Sequence, residues 1–399
     1  MEAIINFLDK EKIEFTTDKR IIEKESRDWS WTSSKLSQLD SKLPLVVVYP
    51  KNEDEIIKIV EFSKENHLPV VPKGKGFNNV GGLIITKPNS ILINLTYFSG
   101  ILEENDQLIK VKSGTPYYKK GKFLFLPRVY PSTFRHEVTI GGNFCGGAYG
   151  IGSYEYGPNW DQVIEIEMIS PKGKKITLYG NDTRVAAHAL GTTGIVTSLK
   201  LLKRQKEGND IVKVFFFDNF KELLKLIDII YDSSLPYYHV NVLSPNSLNI
   251  IDATLPKKWA LITVYPEDRK TDVLNGGTEG RIFWEHRDLF NSGLIEKLVE
   301  INKNIDYSVY KLDIYKIDEL LNKIKTENFF IEINFTNERK GRMLLASFDK
   351  IPELGNTEFD VNSPYVNSRV KFEHLHRIKM FKVLNDPEDL FNPNKLKFY

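Results

Sequence analysis

The sequence predicts an α+β chain in two parts: a first half organised by glycine loops at the ends of short apolar strands, then an antiparallel sheet with helices. Three observations lead there. Short runs of β-branched residues alternate with amphipathic helical stretches along the chain. Glycine clusters crowd the first 205 residues, and the stretch from Ser132 to Asp161 alone holds seven in thirty. Past Gln205 glycine becomes sparse, and strands rich in Phe, Val and Ile alternate with helices. Glycine costs backbone entropy, so a cluster fits places where the main chain takes positive φ or approaches something closely. Consecutive glycine amides can also face one concavity and bind an anion.

The elements follow in order. Residues 2–10 read as a short helix, and a polar approach segment ends in ESRDWSW. LPLVVVYP, 43–50, is a continuous apolar run suited to a buried strand. Residues 52–66 form a helix whose stripe is Ile56, Ile57, Ile59, Val60 and Phe62, with Asn52 and Glu55 in a capping arrangement. PVVP at 69–72 is a strand that runs into KGKGFNNVGG, 73–82. SILINLTYFSGI and QLIKVKSG are adjoining strands. After the glycine stretch, 163–178 reads as two strands joined by a Pro-Lys-Gly turn, and 183–189 as a helix. LGTTGIVTSLKLLKRQ, 190–205, is a third glycine loop feeding a strand. The region 210–370 is expected to be an antiparallel sheet with helices on one side, and the last segment a helix followed by proline turns.

Bulk properties exclude several classes. The 399 residues suffice for two or three domains, and a net charge of +2 gives no whole-chain field for nucleic acid. The single cysteine, Cys145, excludes an intramolecular disulfide, a CxxC redox pair and a cysteine-ligated iron–sulfur cluster within this chain. The amphipathic, acidic amino terminus lacks the pattern of a secretory signal, and no apolar run reaches membrane-span length. The expected compartment is the cytoplasm, extending to the inner face of a membrane.

The loop at 73–82 has the composition of a phosphate cradle, with Lys73 and Lys75 beside Gly74 and Gly76, and Asn78 and Asn79 as polar partners. It follows the second strand, not the first, so it does not have the Rossmann placement, and no GxxxxGK[ST] occurs. Taken together, the three loops resemble the FAD-binding domain of the vanillyl-alcohol oxidase and p-cresol methylhydroxylase (PCMH-type) superfamily. PVVPKGKGFNNVGG is similar to its first pyrophosphate loop, TIGGNFCGGAYGIGSYEYG to its second flavin-contacting loop, and GTTGIVTSLKL to its GTLGIIT-type segment. LNDPEDLFNPNKL is similar to its closing DPxxLxNPGKL motif, with Asn394 in place of the glycine.

The resemblance implies a two-subdomain FAD-binding domain at 41–207 after an approach segment at 1–40, an α+β cap at 208–372, and a segment at 373–399 that returns to the FAD domain. It implies that Lys73, Gly74, Lys75, Gly76, Phe77, Asn78 and Asn79 cradle the pyrophosphate. Thr139, Ile140, Gly141, Gly142, Asn143, Gly146 and Gly147 then run beside the ring and ribityl side, and backbone groups of Gly194, Ile195 and Val196 lie against the flavin. Phe77 stands where some relatives carry a linking histidine, and Cys145 falls after the position of a linking cysteine, so FAD is expected to be non-covalent.

In the cap, RIFWEHRDLF, 281–290, is similar to the fW..R element of glycolate and D-lactate dehydrogenase-like members. Arg287, three residues after Trp284, would clamp a carboxylate with its planar fork. The HxGDGNxH-type motif of those members has no counterpart: FFIEINFTNERKGRMLL contains no histidine, and no metal site is expected. The general base stays open among His286, His136, Tyr149 and Tyr154. The expected activity is FAD-dependent dehydrogenation of a 2-hydroxy acid, with electrons leaving to a quinone, a partner protein or O2. Two other readings are an alditol or sugar oxidase and an auxiliary flavin subunit of a glycolate oxidase-like complex. Either a homo-oligomer or a hetero-complex fits the sequence.

Overall fold

The computed structural model describes residues 1–205, 209–270, 273–352, 354 and 363–398. The expected boundary at 207/208 lies outside the described residues. The first sheet is made of β1 (Phe15–Thr16), β2 (Val46–Val48), β3 (Val70–Lys73) and β4 (Ile91–Asn94) in the order β1-β2-β4-β3. The last three are parallel. Helices α1 (Glu2–Glu11), α2 (Lys19–Glu25) and α3 (Glu53–Glu65) accompany it. Ile4 and Leu8 of α1 and Ile56, Ile59 and Val60 of α3 bury against Val46, Val48, Ile91 and Ile93. The start of α3 is set by sequence: the Asn52 side chain accepts from the Glu55 N–H at 2.9 Å, while the Glu55 carboxylate accepts from the Lys51 N–H at 2.8 Å.

The second sheet is antiparallel, with β5 (Ile101–Glu104), β6 (Leu108–Lys112), β9 (Val163–Ile169), β10 (Lys175–Tyr179) and β11 (Ile195–Leu202) in the order β10-β9-β11-β6-β5. A hairpin of β7 (Tyr118–Lys119) and β8 (Lys122–Phe123), with short helices α4 (Ile140–Gly146) and α5 (Ser153–Tyr156), fills the connection between β6 and β9. Gly173, at φ +78, makes the turn between β9 and β10.

The third sheet has seven antiparallel strands: β12 (Asp210–Phe217), β13 (His239–Leu243), β14 (Trp259–Pro266), β15 (Thr278–Glu279), β16 (Asp306–Asp313), β17 (Phe330–Thr336) and β18 (Lys340–Ser347). Their order is β15-β12-β14-β13-β17-β18-β16. Its helices are α6 (Phe220–Asp232), α7 (Pro245–Ile251), α8 (Arg281–Glu285), α9 (Ser292–Ile301) and α10 (Ile314–Leu321). They do not all lie on one side. Leu223, Ile227 and Ile230 of α6 and Ile317 of α10 bury on one face with Leu261, Ile331, Ile333 and Leu345. Leu294, Ile295 and Leu298 of α9 bury against Tyr307, Val309 and Leu344, which alternate onto the other face.

The segment 183–189 also departs from expectation. A 3₁₀ turn covers Gly180–Val185, and His188 and Leu190 take φ +57 and +54. Two left-handed residues so close together cannot continue a helix; they bend the chain back toward the third glycine loop. After α11 (Phe372–Asn385), the carboxyl-terminal segment returns to the first sheet, where Phe391 forms a parallel bridge with Val70. Asn392 Nδ2 then donates to the carbonyls of Gly82 and Leu190 at 3.0 and 2.6 Å, and Lys395 Nζ to that of Gly81 at 2.6 Å.

Candidate active site

The three glycine loops converge on one cavity, roofed by the third sheet. It holds about 1580 Å³ of space free of protein atoms, open solvent included. The close approach of the loops explains their glycines. A Cβ on Gly74 would stand 2.2 Å from Thr139 Oγ1, and one on Gly142 2.7 Å from the same atom. A Cβ on Gly147 would meet the ring of His188 at 2.2 Å, and one on Gly194 the carbonyl of Ile169 at 2.6 Å. Thr139 caps α4 by accepting from the Gly142 N–H at 3.2 Å.

Most residues assigned to the cofactor line this cavity: Lys73, Gly74, Lys75, Gly76, Phe77, Asn78, Asn79, Thr139, Gly141, Gly142, Asn143, Gly146, Gly147, Gly194 and Val196. Ile140 and Ile195 do not. Both are 0 % exposed and belong to the hydrophobic cores beneath the loops, because their side chains point opposite to the cavity. Lys73 is buried, and its ammonium pairs with Glu25. Burial pulls its pKa down against that partner. The exposed cation on this loop is therefore Lys75.

The residues expected to carry the chemistry divide. Tyr149 lines the cavity, and its hydroxyl accepts from Lys311 Nζ at 2.7 Å. Arg287, His286 and Trp284 do not line it. Arg287 Nε donates to Tyr130 Oη at 3.0 Å, a second guanidinium nitrogen bonds the Trp284 carbonyl, and the group lies over the rings of Trp284, Phe123 and Phe134. Such an aromatic cage uses the fork within the protein. His136 and Tyr154 also lie off the cavity: His136 Nε2 is 3.0 Å from Glu296, and Tyr154 packs beneath the third sheet.

The residues that the sequence reading did not single out lie on the cavity-facing side of the third sheet. Strand register sets Asn241 opposite Asn334, Asn334 opposite Arg342, and Arg342 opposite Lys311, making one polar row across four strands. Arg342 lines the cavity, and one of its nitrogens reaches the Tyr149 carbonyl at 3.4 Å. Burial depresses the Arg342 pKa, while Tyr149 and Glu332 act to raise it. Burial likewise raises those of Tyr149, against Lys311, and of Glu332, against its amide donors. The signal was legible: His239 and Asn241, then Glu332 and Asn334, are polar residues at every second position of otherwise apolar strands. Buried polar groups persist only with partners, so such alternation marks a network.

FAD suits the residues present. The main-chain N–H groups of Gly74 to Asn79 donate to no protein acceptor among the described residues, yet their loop lines the cavity. Free amides and Lys75 match a pyrophosphate, and the bare backbone at Gly141, Gly142, Gly146 and Gly147 leaves room for a flat ring. The Cys145 thiol, also on the wall, is pushed up to about 12 by burial and is therefore protonated. Among the described residues no cluster of three His, Cys, Asp or Glu stands where it could hold a metal ion, and no helix is long and apolar enough to cross a membrane.

Comparison with known proteins agrees with this geometry. Residues 44–179 match the family profile described as FAD binding domain. Glycolate oxidase subunit GlcD of Bacillus subtilis is 24% identical over 424 residues, covering 89% of each chain. D-lactate dehydrogenase [cytochrome] 1, mitochondrial, of Saccharomyces cerevisiae is 23% identical over 53% of this chain and 38% of its own length. A solved structure of alkyldihydroxyacetonephosphate synthase superposes with a TM-score of 0.75 at 17% identity, over 96% of this chain and 82% of that one. With its three loops on one cavity and this kinship, the chain carries a PCMH-type FAD-binding domain over residues 44–179 and is similar along its length to FAD-linked oxidoreductases.

Proposed function

We propose that this protein oxidises the CH–OH group of a small 2-hydroxy acid, with FAD bound non-covalently. The observation that carries the reading is the presence of Arg342 and Tyr149 on one cavity with the glycine loops. The names of the relatives, glycolate oxidase subunit and D-lactate dehydrogenase, support the substrate class. Bound FAD would supply the acceptor for the two electrons that leave the substrate carbon. Arg342 serves as the carboxylate clamp; Arg287 is a brace for Tyr130. The Tyr149 oxygen is the proton-exchanging group. Lys311, which donates to it, stabilises its phenolate form, and Lys311 Nζ also reaches Glu338, at 3.1 Å, whose side chain is half exposed and leads to solvent. Phe77 is no nucleophile at the one linking position, and Cys145, which lies past the other, is held protonated by burial.

Anaerobic mixing with a panel of 2-hydroxy acids, alditols and sugars tests the reading by flavin absorbance. Bleaching is expected with the hydroxy acids alone, and readmission of air then separates O2 from a quinone or protein acceptor. Arg342→Met is expected to raise KM for the acid about 10- to 150-fold, the equivalent of one charge-assisted hydrogen bond of roughly 1.5–3 kcal/mol, and to leave FAD content intact. Bleaching by alditols, or an unchanged KM in the variant, overturns it.

A second reading, a flavin subunit of a larger complex, is favoured by the exposed face of α11. Phe372, Met380, Val383 and Leu384 lie there at 81%, 47%, 50% and 63% exposure, large apolar side chains set among the polar residues of the helix. Co-purification of another chain with the native protein would support it.

A further inference from the structure

Asn291 stands at the mouth of α9, on the cavity wall, with φ 49 and ψ −113. That backbone conformation is foreign to residues with a Cβ, and it persists only where surroundings over-determine it. Here they do. The Asn291 N–H donates to the Glu332 carboxylate, and its carbonyl accepts from the N–H groups of Leu294 and Ile295 at 3.1 and 3.4 Å. Its Oδ1 accepts from Asn334 Nδ2 at 3.0 Å. Asparagine at the start of a helix ordinarily caps it with its side chain, but this one caps nothing. The side chain has been diverted.

The network also determines which way the carboxamide points. Glu332 is 0 % exposed and, as a carboxylate, only accepts. Asn241 and Asn334 must therefore turn their NH2 groups to its Oε1, each at 2.8 Å. Asn241 Nδ2 also donates to Asn334 Oδ1 at 3.0 Å, which leaves the Asn334 NH2 group to serve Asn291 Oδ1. Among the described residues Asn291 is then left with an NH2 group that no protein acceptor engages, on a residue that lines the cavity, whereas the other unpartnered atom of the network, Asn241 Oδ1, is buried within the sheet. The cross-strand partner of Asn334 is Arg342, so the sheet residue that holds Asn291 is also the neighbour of Arg342.

We propose that Asn291 is a substrate-binding residue whose NH2 group donates to a carboxylate oxygen of the substrate beside Arg342, and that Glu332 is the positioning residue that aims it through Asn334. The assignment rests on the cavity being that of a 2-hydroxy-acid oxidoreductase. It gives the site two donors of different kinds, a charged fork and a neutral amide, suited to the two oxygens of one carboxylate.

The test uses the FAD-loaded full-length protein and oxalate as a non-oxidisable probe, followed by perturbation of the flavin spectrum. Asn291→Gly removes the carboxamide and relieves the backbone, since glycine accepts φ 49 without penalty. The expected result is oxalate affinity lowered tenfold or more, FAD affinity unchanged, and Tm equal or higher. Glu332→Gln, which can present its own NH2 group and so reverse the chain of amides, is expected to weaken oxalate comparably. The double variant should bind no more weakly than Asn291→Gly alone, because the second residue acts through the first. Affinity within twofold of wild type in Asn291→Gly, or a loss that follows a lower Tm or lost FAD, overturns the role of Asn291; additive losses in the double variant overturn that of Glu332. Failure of the wild type to bind oxalate would instead defeat the substrate class, whereas binding that Arg342→Met abolishes and Asn291→Gly spares defeats only this inference.

Discussion

Gly74→Ala offers a quantitative test of how the glycine loops make the cofactor site. Gly74 has no unusual φ, so alanine brings no backbone strain, and the whole effect lies in the added methyl group. That carbon would stand 2.2 Å from Thr139 Oγ1, whereas ordinary contact begins at 3.4 Å, so about 1.2 Å must be found. Separating the two loops by that much is overpacking, at roughly 1–3 kcal/mol. Rotating Thr139 away loses the cap on α4, at about 1 kcal/mol with a range of roughly 0.5–2. The cheaper route sets the cost, so Gly74→Ala should destabilise the apoprotein by about 1–2 kcal/mol. In a Thr139→Ala background the clash is absent: the next atoms are Thr139 Cβ and Gly142 Cα, both at 3.5 Å. There the same substitution should be near neutral, and the cycle should show a coupling of about 1–2 kcal/mol. Urea unfolding of the four apoproteins, paired with FAD titrations, measures it. Equal costs of Gly74→Ala in both backgrounds would refute the contact as the reason for this glycine.

Three further predictions concern groups around the same loops. Burial draws Lys395 down to about 7, against an ordinary value of 10.5, while its Nζ bonds the Gly81 carbonyl. The unfolded chain then binds more protons than the folded one between about pH 7 and 10.5, so stability from this group rises with pH across that window and is lost as pH falls through 7. Thermal melts of wild type from pH 6.5 to 8.5 should climb, and Lys395→Met should remove that slope. Cys145, pushed up to about 12, should react with a maleimide at pH 8 at least tenfold more slowly than a free thiol, and acid precipitation should release all flavin into the supernatant. Rapid labelling, or yellow colour in the pellet, would contradict the desolvated thiol and the non-covalent cofactor respectively.

The cofactor half of the site was legible because loop function is written locally. Glycines at 74, 76, 141, 142, 146 and 147 reveal close backbone approach whatever lies opposite, and the order of three such loops narrows the fold. The side chains of Ile140 and Ile195 bury in the cores beneath the loops, a direction that the motif alone did not reveal. The catalytic half was harder to read. Arg287 and Trp284 are three apart in sequence and chemically apt, yet the hairpin of β7 and β8 and the turn at Phe134 supply rings that capture the guanidinium. Arg342, Asn334 and Asn291 come from three elements: register aligns the first two, and a hydrogen bond from Asn334 holds the third.

By itself, then, the sequence determined the α+β organisation and the three loops, because periodicity and glycine act over a few residues, and the kind of cofactor followed from the family that the loops resemble in their order. The tertiary structure decided which charges face the cavity and which are consumed inside the protein. Lys73 turns to Glu25, Arg287 to Tyr130, and Arg342 to the cavity beside Tyr149. All three are cations of similar promise in one dimension. Their roles separate only when packing determines which partner each can reach, since the energy of a charge is set by its neighbours and its burial.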